Sequence, residues 1–160
     1  MADTLTSVID KINRAIRDEK HLRVALTTVL AVHKPRIFED GKAADGSKIG
    51  TYSTDKISIS RKNQAKNTGK TYFKGGYSEY KTAIGKNPGY VNLVNTGQMQ
   101  SDYGLKRFGE NRFGMGFQNE HNYNKSQWMQ EKYDKDIFDH TQGELDIIAS
   151  VLETQIANSI

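Results

Sequence analysis

The chain has no cysteine. That excludes a disulfide scaffold, a thiolate metal site and a cysteine nucleophile. Bulky apolar residues are scarce as well. Leu, Ile, Val and Phe make up 34 of the 160 residues, and the mean hydropathy is −0.72. This is just above the level of about 20% below which highly charged chains stay disordered. The net charge of +4 is too small for strong self-repulsion. A folded single domain with a lean core is therefore expected over residues 1–160, completing its burial against partners. The longest apolar run, Ile147 to Val151 with Ser150 inside it, is far too short to span a bilayer, so no membrane partner is expected. Met1-Ala2-Asp3-Thr4-Leu5 has neither a basic nor an apolar leader region, which points to folding in a cytoplasm.

Catalytic and ligand-binding patterns are missing too. No Gly-x-Ser-x-Gly elbow occurs. Gly69-Lys70-Thr71 corresponds to the end of a phosphate-binding loop, but Gln64 stands where the first glycine is needed. Asp40-Gly41 and Asp45-Gly46 lack the alternating ligands and closing Glu of a calcium loop. His21, His33, His121 and His140 have no metal-ligand spacing and read as surface or capping residues. The expectation is no enzyme, no cofactor and no metal.

What the sequence does have is uneven charge. Residues 56–90 carry Lys56, Arg61, Lys62, Lys66, Lys70, Lys74, Lys81 and Lys86 against the single acid Glu79. The segment is thus +7 and the remainder −3. Such asymmetry is either a solvated lysine-rich loop or a footprint for nucleic acid or an acidic protein surface.

The periodicities predict an α+β fold. Leu5, Val8, Ile9, Ile12 and Ile16 form a helical stripe that Asp3 or Thr4 can cap. Leu22, Leu26, Val29 and Leu30 mark a second helix, expected to stop at Lys34-Pro35. Residues 39–90 read as a basic, partly extended arm, with Asp-Gly turns and a weak strand at Ile57 and Ile59. A hairpin is expected over 101–118. There Tyr103 and Leu105 alternate, Gly109-Glu110-Asn111 turns, and Phe113, Met115 and Phe117 follow. Gly114 and Gly116 leave a bare stripe that a helix or a neighbouring subunit would cover. A short helix is read at Lys125–Tyr133, carrying Trp128 and Met129. Thr141-Gln142-Gly143-Glu144 is a capping box opening a last helix with the stripe Leu145, Ile148, Ala149, Leu152 and Ile156. The architecture expected is one small antiparallel sheet packed with N-terminal and C-terminal helices, plus the long arm.

Aromatics interleave with the bases: Tyr72, Phe73, Tyr77, Tyr80 and Tyr90 lie among Lys70, Lys74, Lys81 and Lys86. That mixture serves single-stranded nucleic acid by stacking, and equally serves protein interfaces. With Phe38 and Tyr52, the residues Tyr72, Phe73, Lys74, Tyr77, Tyr80, Lys81 and Tyr90 are the candidate partner interface.

Two stretches carry a resemblance. One is Arg36-Ile37-Phe38 followed by Gly46-Ser47-Lys48-Ile49-Gly50-Thr51-Tyr52-Ser53. The other is Tyr80-Lys81, Ile84-Gly85, then Val91-Asn92-Leu93-Val94-Asn95-Thr96-Gly97-Gln98-Met99-Gln100-Ser101. Gly116-Phe117, Lys125 with Trp128, Lys132-Tyr133 and Ile137-Phe138 then follow in order. Together these resemble the virion-morphogenesis and tail-completion proteins that join heads to tails in tailed bacteriophages, over residues 22 to 155. Where many members continue with Tyr-Ala-x-x-His-x-x-Gly, this chain has Gly116-Phe117-Gln118-Asn119-Glu120-His121-Asn122-Tyr123. That leaves tail completion, tail terminator and another neck component open. The resemblance implies a structural virion protein of the neck, assembled in the host cytoplasm as a homo-oligomeric ring. Its implied partners are other neck, portal-side and tail proteins, around genomic DNA that it does not read by sequence.

Overall fold

The computed structural model describes residues 7, 9, 10, 13, 14, 18–60, 69–109 and 112–159. The apolar stripe expected near the N-terminus falls mostly outside these. Its described neighbourhood, residues 7, 9, 10, 13 and 14, is helical and exposed, Ile9 included. The Gly109-Glu110-Asn111 turn lies partly outside the described residues as well.

Helix α1 spans Glu19–Phe38. Asp18 caps it, its side chain accepting from the Lys20 N–H at 2.9 Å. The expected stop at Pro35 does not occur; the proline sits inside the helix. A proline there costs about 3 kcal/mol through the lost hydrogen bond and ring clash. The extra turn places Arg36, Ile37 and Phe38 in the interior. Burying one Ile and one Phe gains roughly 3–6 kcal/mol together, so tertiary burial outweighs the local penalty.

The chain then runs irregularly from Glu39 to Lys56, but it is not loose. Ala43 and Ile49 are buried, and Ile49 N–H donates to the Gly41 carbonyl at 2.8 Å. Gly41 has φ +63°, and a Cβ there would lie 2.3 Å from the Val91 carbonyl oxygen. Only glycine allows the backbone at Val91 to lie this close. Strands β1 (Ile57–Ser60) and β2 (Lys70–Phe73) form an antiparallel hairpin against α2 (Gly76–Ala83). The segment read as an arm thus begins as core packing and continues as hairpin and helix.

After a turn-rich stretch, α3 (Gln98–Asp102) leads into β3 (Tyr103–Gly109) and β4 (Arg112–Phe117). The two alternating rows do form a hairpin, whose register pairs Tyr103 with Phe117 and Leu105 with Met115. Among the described residues there are therefore two separate two-stranded sheets, where the sequence predicts one small sheet. The glycine stripe is covered from within the hairpin. The ring of Phe108 lies where a Cβ on Gly114 or Gly116 would come within 3.1 Å of it.

Helix α4 (Glu120–Tyr133) is capped by Asn119 and is longer than the spacing predicts. Helix α5 (Gln142–Ala157) carries the complete capping box of Thr141 and Glu144. Its inward face is Glu144, Ile147, Ile148, Val151, Leu152 and Ile156, set against α1. Leu145 and Ala149, expected inward, are exposed. The buried carboxylate of Glu144 lies on that inward side, bonded to Arg36 and His33. Ile37, Phe38, Ala43, Ile49, Val91, Leu93, Tyr103, Phe117 and Ile137 form the core, with Phe138 packed on it.

Candidate functional site

A cavity of about 510 Å³ opens between α2, α3, α4 and the loops that join them. Helix α4 supplies Lys125, Trp128, Met129, Lys132 and Tyr133. Their spacing of three and four puts all five on one helical face. Helix α2 supplies Tyr77 and Lys81, one turn apart. Tyr52, Ser53 and Ile57 form another wall, and the run from Val91 to Met99 forms the last. In that run Leu93 has φ +56° and Gly97 has φ +81°. A branched residue in the left-handed region is held there only by its surroundings, here the core into which Leu93 packs.

Lys81 is the buried charge of this site, only 1% exposed. Its ammonium donates to the Val94 carbonyl, 5.1 Å from the Tyr52 ring centre and 5.6 Å from that of Tyr77. Burial, helped by the charge of Lys86, pulls its pKa down to about 8. Burial also pushes Tyr52 up to about 12 and raises Tyr77 and Tyr133. The phenols therefore stay protonated and can donate. The Tyr52 hydroxyl donates to Asn92 Oδ1 at 3.3 Å.

The structure brings together five of the nine candidate interface residues. Phe73, Tyr80, Tyr77 and Tyr52 form a row of ring contacts at 5.4, 5.3 and 5.3 Å, with Lys81 at its inner end. The other four lie elsewhere. Phe38 is core, 1% exposed, and offers no surface. Tyr72 is exposed beside Lys56, 5.5 Å from its ring, and Lys74 is exposed nearby in the chain. Tyr90 fastens a loop: its hydroxyl donates to the Glu39 carbonyl and Lys48 sits 3.7 Å above its ring. The α4 residues were not among the candidates, although the spacing from Lys125 to Tyr133 was a readable signal for a shared face.

A second cluster lies inside the core. His33, expected at the surface, is fully buried. Its Nδ1 is 3.0 Å from Glu144 Oε2 and its Nε2 is 2.9 Å from the Tyr103 hydroxyl. Burial lowers its pKa to about 4, against the opposing pull of Glu144. The neutral ring therefore donates through Nδ1 to Glu144 and accepts at Nε2 from Tyr103. Burial raises the Glu144 pKa, but hydrogen bonds from Arg36, Thr141 and His33 outweigh it and leave a net lowering. Arg36 donates to Glu144 at 2.8 Å and to the carbonyls of Lys42, Ile137 and Asp139. A hydroxyl, an imidazole and a carboxylate in line are the parts of a nucleophilic relay. Here Tyr103 is 3% exposed, so its hydroxyl is closed to a substrate and the cluster acts as a core brace.

Among the described residues no group of three His, Asp or Glu side chains could hold a metal ion. No described helix is long and apolar enough to cross a membrane. Compared with protein-family models, curated proteins and solved structures, the chain matches none.

Proposed function

We propose that the protein is a structural component of a tailed-phage neck, joining the DNA-filled head to the tail as one subunit of a homo-oligomeric ring. The observation that carries this reading is convergence. Parts of three of the stretches that resemble the tail-completion proteins are far apart in sequence: Tyr52-Ser53, Leu93 with Asn95 to Met99, and Lys125 with Trp128, Lys132 and Tyr133. All of them line one cavity. A shared cavity is what separated motifs leave behind when they serve one docking surface. The lean core fits too, since a ring covers a protomer's spare surface on two sides.

The test is electron microscopy of particles made when the gene is silenced in its phage or prophage. Filled heads beside finished, unattached tails are the expected result. Tails of uncontrolled length would make the protein a tail terminator. Complete virions would overturn the neck reading.

A second reading, a nucleic-acid-binding module, is favoured by one observation. Exposed Tyr72 lies beside Lys56 on a hairpin that also carries Lys70 and Lys74. It requires affinity that falls steeply with salt.

A further inference from the structure

The lining of the cavity and of its mouth is one-signed. Among the described residues Lys81 lies buried in its wall, Lys125 and Lys132 also line it, and no Asp or Glu does. Among the described residues neither Lys125 nor Lys132 is in an ion pair. Trp128, the chain's single tryptophan, stands at this mouth 56% exposed, with Lys132 5.0 Å from its ring. Basic groups around an exposed aromatic call for an acidic occupant with an apolar anchor.

Helix α5 carries such a surface. It has no Lys, Arg or His. Its outward face presents Leu145, 47% exposed, at its N-terminal end, followed by small Ala149, with the exposed acids Asp146 and Glu153 flanking this row on one side. No α5 residue lines the cavity of its own chain. We propose that the outward face of α5 of a second copy docks at this cavity, with Leu145 against Trp128 and Asp146 and Glu153 near Lys125 and Lys132. This is an amphipathic helix laid into a groove. Cavity and helix face are different patches, so the contact is head-to-tail and can close into a ring. The inference deepens the ring reading and rests on it for its biological meaning, but the contact itself is testable without a phage.

The cysteine-free chain suits disulfide trapping. Trp128→Cys and Leu145→Cys proteins, each checked for folding by circular dichroism, are mixed under air. The mixed disulfide is expected to form at least about tenfold faster than that between Trp128→Cys and an exposed control, Val24→Cys. Independently, Lys125→Glu/Lys132→Glu and Asp146→Lys/Glu153→Lys variants should each stay monomeric in sedimentation at concentrations where the wild type associates. Mixing the two should restore association, because every cavity then faces a helix of opposite charge. Wild-type association should weaken as salt rises. Trapping no faster than the control, or charge reversals that leave sedimentation unchanged, would overturn the proposal. A wild type that stays monomeric and traps nothing would assign the cavity to another protein and overturn it equally. Trapping alongside normal virions from the silenced phage would keep the contact and remove the neck role.

Discussion

Glu144 does two jobs with one carboxylate. Its Oε2 accepts from the Thr141 backbone N–H to close the capping box and lies against His33, while Oε1 takes Arg36. Glu144→Ala would strip the cap and strand a buried guanidinium. A loss of about 3–5 kcal/mol is expected, read from urea unfolding. Thr141→Ala removes only the acceptor for the Glu144 N–H and should cost about 1 kcal/mol. His33 sets a pH dependence. Its folded pKa of about 4 lies below its ordinary 6.5, so the unfolded chain binds the extra proton first. Its contribution is complete above pH 6.5 and is lost as pH falls toward 4, on the order of 3 kcal/mol in all. Glu144, also lowered, adds to the loss below its ordinary 4.5. Urea midpoints at pH 7 and pH 4.5 should differ strongly in the wild type and much less in His33→Gln, whose side chain does not titrate.

At the scale of elements, helices end where burial lets them, not where propensity says. Helix α1 runs through Pro35 because Arg36, Ile37 and Phe38 are worth more inside than the proline costs. The β3–β4 hairpin supplies its own cover, Phe108 on Gly114 and Gly116. Gly114→Ala would push the Phe108 ring aside by a few tenths of an ångström. A small loss, about 1 kcal/mol, is expected by urea unfolding. Gly41→Ala is of another order. It meets the Val91 backbone at 2.3 Å with an unfavourable φ, and nothing there is a flexible chain end that could give way. That variant should lose several kcal/mol or fail to fold, visible as a collapsed thermal transition.

At the scale of the whole molecule, the brace and the cavity divide the labour. His33, Arg36, Tyr103 and Glu144 lock α1, β3 and α5 together, while the cavity between α2, α3 and α4 is left open with lysines around it. The +7 charge of residues 56–90 is thereby partly spent, since Lys81 is buried and tied to Val94. On the proposed neck reading, the chain should show little affinity for free DNA at physiological salt. Fluorescence anisotropy with labelled single-stranded and duplex DNA checks this, and tight binding with a steep salt slope would favour the nucleic-acid module instead.

The α+β class, the 101–118 hairpin with its alternating Tyr103/Leu105 and Phe113/Met115/Phe117 rows, and the Thr141–Glu144 capping box are all written in the sequence. Each is decided by neighbours a few residues apart, through alternation, helical spacing or a local hydrogen bond. Long-range packing decided the rest. His33 and Glu144 are 111 residues apart, and neither looks like core until the other arrives. The cavity follows the same rule: its walls come from four separate stretches, so Trp128 and Lys125 could be placed on one helix face but not opposite Tyr52 and Lys81. A buried charge is tolerated only where its partners converge. The sequence names those partners, and only the tertiary structure brings them within hydrogen-bonding distance.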